Sequence, residues 1–213
     1  MKKTEIILKE GYPFIAVTGG LFFISLVFRF DAIWQLFWFL SALFMVYFFA
    51  NPERVPDDSG DDVIISPADG EIIDISETKE KFFTNSDMIK ISIRLGLLDN
   101  HIQRTPIEGM LVDSKYVHGE FLALSSEKAS ELNEQNRTLF ENEKFSVVTN
   151  QIAGFITRRI VTWRHEGHVR LAERYGMIMF GSQVDIYVPK NTTLKVITGE
   201  KVIAGETVIG FVK

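Results

Sequence analysis

The sequence predicts a mainly β domain that follows an N-terminal hydrophobic helical membrane anchor. Ten of the 18 phenylalanines lie before residue 50, nine of them inside two long apolar runs. After residue 62 the apolar residues occur in short runs, some with period-two alternation, which is typical of strands. Between these parts lies a stretch rich in proline and acidic residues. We therefore divide the chain into an anchor (1–50), a linker (51–62) and a β-rich domain (63–213).

Composition excludes several classes of protein. The 213 residues carry a net charge of -5, which argues against a nucleic-acid-binding surface. There is no cysteine, so disulfides, thiolate catalysis and cysteine metal sites are excluded together. At 46% apolar residues, the chain can bury the core of one medium-sized domain with a small appendage.

The anchor consists of two apolar runs, residues 12–28 and 32–50, with Arg29-Phe30-Asp31 between them. Each run is close to the 17 to 25 residues that cross a bilayer as a helix. A second run directly after the first, without a small-residue cleavage site, argues against a signal peptide. We expect a helical hairpin; a re-entrant or interfacial anchor is the alternative. Lysines before the hairpin and Arg54 after it place the β-rich domain on the cytoplasmic side.

The β-rich domain is expected to contain short strands separated by turns. Residues 88–95 alternate, with Ile89, Ile91, Ile93 and Leu95 on one face. Further strands are expected at 63–65, 71–75, 107–112, 145–149, 152–161, 194–197 and 207–212. One helix is expected at about Ser126 to Arg137, capped by Ser125 or Ser126.

A weak internal repeat refines the fold class. Residues 166–173 and 199–206 share a polar turn followed by Val and then Glu. This rhythm resembles the hammerhead turns of biotinyl and lipoyl carrier domains, and so implies a barrel-sandwich fold. The carrier function itself is not expected, because no Met-Lys-Met or Asp-Lys-Ala pattern is present.

The pair Gly181-Ser182 is the first candidate for chemistry. It lies between an apolar run and the alternating Val184, Ile186 and Val188, at the start or bend of a half-buried strand. A bulge that redirects the chain is the ordinary interpretation. A serine in such a turn can also attack the preceding carbonyl, provided that a base takes its proton and donors hold the oxyanion.

Two further residues could assist that serine. His101 lies in a polar cluster between two apolar strands, and its ordinary pKa is closest to neutral, so it is the best candidate acid or base. A hydrogen-bonded structural histidine is the alternative. Asp69 follows Pro67 in what is usually a turn; an acid there could instead orient an imidazole.

These segments resemble the short bacterial and archaeal phosphatidylserine decarboxylases. The likeness is most specific in residues 174–189 and extends to Pro67-Ala68-Asp69-Gly70, the His101 segment and residues 151–154. It implies cleavage between Gly181 and Ser182, conversion of Ser182 to a pyruvoyl group that forms a Schiff base with the substrate, and no metal. It also implies an Asp69–His101–Ser182 relay.

The resemblance implies a membrane-anchored proenzyme that acts on a phospholipid. It would convert phosphatidylserine, or an archaetidylserine-like lipid, to the ethanolamine lipid and CO2, and its larger and smaller chains would form a heterodimer that could oligomerise further. Arg104, Asn100 and His118 are the expected substrate contacts. Two positions depart from the family pattern: Arg104 stands where some members have a second histidine, and His118 comes one place late.

Two other functions would explain only part of the sequence. A membrane-tethered hammerhead adaptor without catalysis explains the anchor but not the Gly181-Ser182 segment, and the long heptad hairpin of adaptors is missing. A pyruvoyl-dependent decarboxylase of a soluble amino acid leaves the anchor unexplained. His165 and His168 have a spacing that suits a metal only on a helix, and we expect them to be surface residues of a turn.

Overall fold

The structure is a computed structural model, and it describes residues 5–120, 132–154, 159–180 and 182–213, with Ser182 described by its backbone. The chain forms two compact units, Met1–Glu53 and Arg54–Lys213.

The first unit contains a 3-10 turn (Lys9–Gly11) and two apolar helices, α1 (Tyr12–Val27) and α2 (Ala32–Phe48). The N–H of Leu8 donates to the carbonyl of Phe49 at 2.9 Å, so the start of α1 lies beside the end of α2. The helix that includes α1 is long and apolar enough to cross a membrane, whereas α2 is shorter. Many large apolar side chains of both helices are exposed, which suits apolar surroundings.

The second unit is built from antiparallel strands, as the alternating pattern predicted. Its strands are β1 (Val63–Ile65), β2 (Gly70–Lys79), β3 (Asp87–Leu95), β4 (Ile102–Arg104), β5 (Gly109–Val117), β6 (Gln135–Glu141), β7 (Ser146–Ala153), β8 (Ile160–Thr162), β9 (Gly167–Val169), β10 (Arg174–Ile178), β11 (Ser182–Pro189), β12 (Thr192–Leu194), β13 (Lys201–Val202) and β14 (Val208–Val212). The predicted mainly β architecture is therefore confirmed.

Within the described ranges these strands form three sheets. The large sheet has the order β13-β2-β3-β11-β7-β6-β5-β9, and two small sheets have the orders β1-β14-β12 and β4-β10-β8. Ile91 and Ile93 of β3 and Val184 and Ile186 of β11 are fully buried in the core between the sheets. Burial of these side chains from two adjacent central strands stabilises the middle of the large sheet.

The strand order shows that the unit contains two similar halves. One half consists of β1 to β3 and β11 to β14, and the other consists of β4 to β10. Each half begins with a short strand and a Pro-x-x-Gly turn: Pro67 to Gly70 in one, and Pro106 to Gly109 in the other. Both glycines have a φ of 152°, and a Cβ on either would lie within 2.3 Å of a carbonyl oxygen. The second half is thus inserted between β3 and β11 of the first.

The expected helix from Ser126 to Arg137 is wrong from Asn133 onward: Asn133 forms an isolated bridge with Glu120, and Glu134 lies in neither a helix nor a strand. Gln135, Asn136 and Arg137 begin β6 and pair with β5 and β7. Pairing on both sides supplies the backbone hydrogen bonds that a helix would otherwise supply, so tertiary context overrides the local polar pattern. Residues 121–131 lie outside the described residues.

Candidate active site

Ser182 begins the central strand β11. Its backbone pairs with Leu95 of β3 on one side and with Ala153 of β7 on the other. This is the point where the chain returns from the inserted half to the first half. Ser182 is therefore the first residue of a strand that is hydrogen-bonded to a neighbouring strand on each side.

The backbone just before this point is strained. Phe180 has a φ of 61°, in the left-handed region that a bulky residue rarely occupies. Such a conformation costs on the order of 1–3 kcal/mol and persists only where its surroundings enforce it. The N–H of Met179 donates to the carbonyl of Arg159 at 3.2 Å, which fixes the chain on the near side of Phe180. Gly181 itself lies outside the described residues.

His101 is fully buried in the connection that enters the inserted half. Its Nδ1 lies 2.7 Å from the carbonyl oxygen of Asp99. A carbonyl only accepts, so Nδ1 carries the proton and Nε2 carries the lone pair of a base. Burial lowers the pKa of His101, although the Asp99 carbonyl and carboxylate oppose this effect. The imidazole is therefore kept neutral and basic at neutral pH.

Topology brings His101 and Ser182 to one corner of the domain. The segment 96–100 runs from Leu95, the strand partner of Ser182, to His101. The carbonyl of His101 accepts from the N–H of Ile178 at 3.2 Å, and β11 begins four residues after Ile178. The two connections that link the halves thus meet here. These backbone contacts place the predicted base at the same corner as the predicted nucleophile.

Asp69 is nearby, in the Pro67 to Gly70 turn. Its carboxylate accepts from the Ala204 N–H at 2.7 Å, from Arg54 Nη2 at 3.1 Å and from the Asn100 N–H. Burial is the largest effect on its pKa and raises it, against the lowering by these three partners. Because Asn100 directly precedes His101, Asp69 holds the segment that carries the imidazole. A direct role in an Asp69–His101–Ser182 relay stays a prediction.

Arg54 has a structural role that its sequence context did not reveal. Its guanidinium bridges Asp69 and Glu206, with N–O distances of 3.1 and 3.3 Å, and its side chain is 17% exposed. From the sequence, Arg54 is a charge that flanks the anchor and part of the Asn51-Pro52-Glu53-Arg54 segment that resembles the family. The partner of an isolated arginine 15 residues from an aspartate cannot be identified from sequence, because the contact depends on tertiary folding.

The expected substrate contacts lie in different places. Asn100 is half-buried beside His101, and its Oδ1 accepts from the Ile102 N–H at 3.1 Å. Arg104 is buried, and its Nη1 donates to the Ala172 carbonyl at 3.1 Å. His118 is exposed beyond the end of β5, edge-on to Tyr116 at 4.9 Å. Of these three, Asn100 adjoins both His101 and Asp69, and Arg104 reaches the Asp69 turn through its backbone, because its N–H donates to the Pro67 carbonyl at 2.9 Å.

A chain of buried amides supports the strand that begins after His101. Gln103 Nε2 donates to the His101 carbonyl at 3.0 Å, Gln151 Nε2 donates to Gln103 Oε1 at 2.9 Å, and Asn136 Nδ2 donates to Gln151 Oε1 at 2.9 Å. All three side chains are at most 2% exposed. We call Gln103, Gln151 and Asn136 the buried amide chain. The sequence pattern does not predict this chain, because Gln103 and Gln151 lie between expected strands and Asn136 falls in the expected helix.

Replacing Gln151 with Leu is expected to destabilise the domain. The substitution removes the donor to Gln103 Oε1 and the closer of the two acceptors of Asn136 Nδ2, and each buried polar group left unsatisfied costs about 1–3 kcal/mol. The free energy of unfolding in urea, measured in detergent, should fall by about 2 kcal/mol or more. Ser114→Ala is the matched comparison. Ser114 is half-buried and donates to Asn136 at one end of the buried amide chain. Equal stability of the Gln151→Leu variant and the unmodified protein would contradict this account.

Within the described ranges, no group of three or more His, Asp or Glu side chains is arranged to hold a metal ion. His165 and His168 are both exposed. The corner brings together the backbone position of Ser182, a neutral histidine and a largely buried carboxylate.

Comparison with known proteins identifies relatives along almost the whole chain. A sequence model of a family described as phosphatidylserine decarboxylase matches residues 41–210. A phosphatidylserine decarboxylase proenzyme from Geotalea uraniireducens is 40% identical over 98% of this chain and 97% of its own length. Proenzymes of the same name from Syntrophotalea carbinolica (42% identical, 96% and 95%) and Syntrophus aciditrophicus (40%, 99% of both) are similar to the same extent.

Proposed function

The chain belongs to the phosphatidylserine decarboxylase family, and from this premise we propose that it is a carboxy-lyase that converts phosphatidylserine to phosphatidylethanolamine and CO2. The observation that carries this proposal is the position of Ser182, at the start of a central strand and at the same corner as a buried neutral histidine. That arrangement provides a fixed nucleophile position and a base, as self-cleavage requires.

Maturation is proposed to begin at Ser182. His101 Nε2 takes the Oγ proton, Oγ bonds to the Gly181 carbonyl carbon, and the Gly181–Ser182 C–N bond breaks as the nitrogen receives a proton. Loss of the Cα proton then breaks the Cβ–O bond and frees the Gly181 carboxylate. Water converts the resulting enamine, through its imine, to a ketone and releases ammonia. The strained Phe180 backbone supports this sequence, because the scissile Gly181–Ser182 bond is only the second peptide bond after Phe180 and its cleavage frees the chain there to relax.

The site suits the pyruvoyl group that this sequence would leave. Residues 183–188 stay paired with β3, and 183–187 with β7, so a new N-terminus at 182 would remain fixed at the corner. A pyruvoyl ketone supplies an electron sink for the substrate amine and needs no metal. His101 would hold or deliver a proton there, and Asp69 would keep the 99–101 segment in place.

Asn100, Arg104 and His118 are proposed lipid contacts, and Asn100 has the strongest support because it adjoins His101. Residues 1–50 are proposed to anchor the enzyme, with 51–62 as linker and 63–213 on the cytoplasmic side as a catalytic domain of barrel-sandwich type. The paired halves, each with a Pro-x-x-Gly turn, support that fold. The two chains formed by cleavage are proposed to stay together as a heterodimer.

Intact mass under denaturing conditions, together with CO2 release from phosphatidylserine, tests the proposed function. Two chains are expected, and the smaller should equal residues 182–213 less one ammonia. Purified protein should release CO2 from phosphatidylserine in mixed micelles. A single full-length chain in freshly made protein that also releases no CO2 would overturn the proposal.

A further inference from the structure

Two consecutive leucines are exposed in the segment that precedes His101. Leu97 and Leu98 are 53% and 65% exposed, in the segment that leads from β3 to His101. The turn that presents them is closed from within: the Gly96 N–H donates to Asp99 Oδ2 at 2.7 Å, and the Asp99 N–H donates to the Gly96 carbonyl at 3.1 Å. We call Leu97 and Leu98 the leucine tip. Since the Asp99 carbonyl also holds His101, the tip and the imidazole belong to one ordered turn.

Other apolar side chains are exposed at the same end of the large sheet. Val117 and Leu132 are 38% and 45% exposed. Val117 pairs with Gln135, which pairs with Ile152, which pairs with Gln183, the residue after Ser182. Three strand spacings of about 4.8 Å place Val117 roughly 14 Å from β11 along this edge. Exposed aliphatic side chains thus occur at the tip and again at the β5–β6 end of the edge that contains Ser182.

A cationic side chain is exposed at the same corner. The carbonyl of Arg159 accepts from the N–H of Met179, three residues before Ser182, and Arg159 is exposed. Aliphatic tips beside an arginine suit the boundary between acyl chains and phosphate headgroups. If this corner of the domain faced only water, the two leucines would remain in contact with water.

We propose that the leucine tip inserts into a phospholipid bilayer and holds the active-site corner at the membrane surface, as a contact of the β domain itself. This inference rests on the proposed function, because a substrate with two acyl chains remains in the bilayer while its headgroup reaches His101. Insertion of two leucines removes apolar area from water and so favours this orientation. The leucine tip contacts the lipid surface. Contact of the tip with a second protein is the alternative outcome of the test.

Insertion can be measured without reference to catalysis. The chain has no cysteine, so Leu98→Cys and Met110→Cys each accept one fluorophore at a single position. Met110 is 46% exposed at the opposite end of the sheet, where it pairs with Glu141. In proteoliposomes of the full chain, lipid-borne nitroxide should quench the probe at 98, and aqueous iodide should quench the probe at 110. Equal behaviour of the two probes, or shielding at 98 without lipid quenching, would overturn the proposal.

Turnover measurements distinguish an effect on orientation at the bilayer from an effect on the chemical step. On bilayers of long-chain phosphatidylserine, Leu97→Ser/Leu98→Ser should lower the rate about tenfold. On short-chain phosphatidylserine dissolved as monomers, the rate of this variant should stay within about twofold of the rate of the unmodified enzyme, and its self-cleavage should be normal. The control Met110→Ser/Val112→Ser should leave both rates unchanged. If the tip variant turns over bilayer substrate at an unchanged rate, the inference is overturned. If no form of the enzyme turns over phosphatidylserine, the proposed function is contradicted, and the quenching result alone decides whether the tip inserts.

Discussion

Ser182→Ala is expected to yield one uncut chain with no decarboxylase activity. Alanine lacks the hydroxyl that attacks the Gly181 carbonyl, and without that attack no pyruvoyl group forms. The loss should be complete rather than partial, because the residue is both the nucleophile of maturation and the source of the electron sink. Gel mobility and intact mass report the cleavage, and CO2 release from phosphatidylserine reports the activity.

Folding of this variant can be checked independently. Ser182 contributes to the sheet through its backbone pairs with Leu95 and Ala153, which alanine can also form. Thermal unfolding of Ser182→Ala should therefore remain cooperative. Ser86→Ala, in an exposed turn between β2 and β3, is the matched serine control and should be cut and active. Cleavage at 181–182 in Ser182→Ala would remove the basis of the assignment.

His101→Asn is expected to slow self-cleavage by about 10²–10⁴-fold, the usual contribution of a positioned general base. The Asn side-chain NH2 can replace Nδ1–H as donor to the Asp99 carbonyl, so the turn should be retained while the basic Nε2 is lost. Time courses of cleavage in cell-free synthesis measure the effect. His118→Asn is the control, since His118 is exposed and lies beyond β5, and it should cleave at the normal rate. A His101→Asn chain that matures as fast as the unmodified chain would exclude His101 as the base.

The pH dependence of cleavage provides a second readout for His101. Burial lowers its pKa, so the neutral, basic form persists to a pH below the ordinary value of 6.5. The cleavage rate of the unmodified chain should be constant above that depressed pKa and should fall as the pH decreases through it. Loss of rate with a midpoint above 6.5 would show that another group is the base. The rate in His101→Asn should lack this step.

Much of the molecule could be predicted from local patterns in the sequence. The alternation in residues 88–95 predicted a strand with a buried face, and β3 shows that face in the core. The apolar runs before residue 50 predicted two helices. Gly181-Ser182 and His101 were selected by residue chemistry together with the family resemblance. Each of these inferences depends on neighbours in the chain, and such information is present in a single sequence.

The contacts between distant segments could not be predicted in this way. Arg54 reaches Asp69 and Glu206, and Gln151 joins Gln103 to Asn136, across separations that no periodicity encodes. The helix expected to end at Arg137 failed for the same reason, because partner strands on both sides decide the backbone of β6.

The sequence by itself determined the β class of the domain, its apolar N-terminal helices and the residue types that suit self-cleavage. Only the tertiary structure decided that one half of the domain is inserted in the other, so that the two connecting segments meet at Ser182 and His101. Residue types and periodicity report local preferences. The pKa of His101 and the support from Asp69, by contrast, arise from burial and from hydrogen bonds that form only when separate strands pack together.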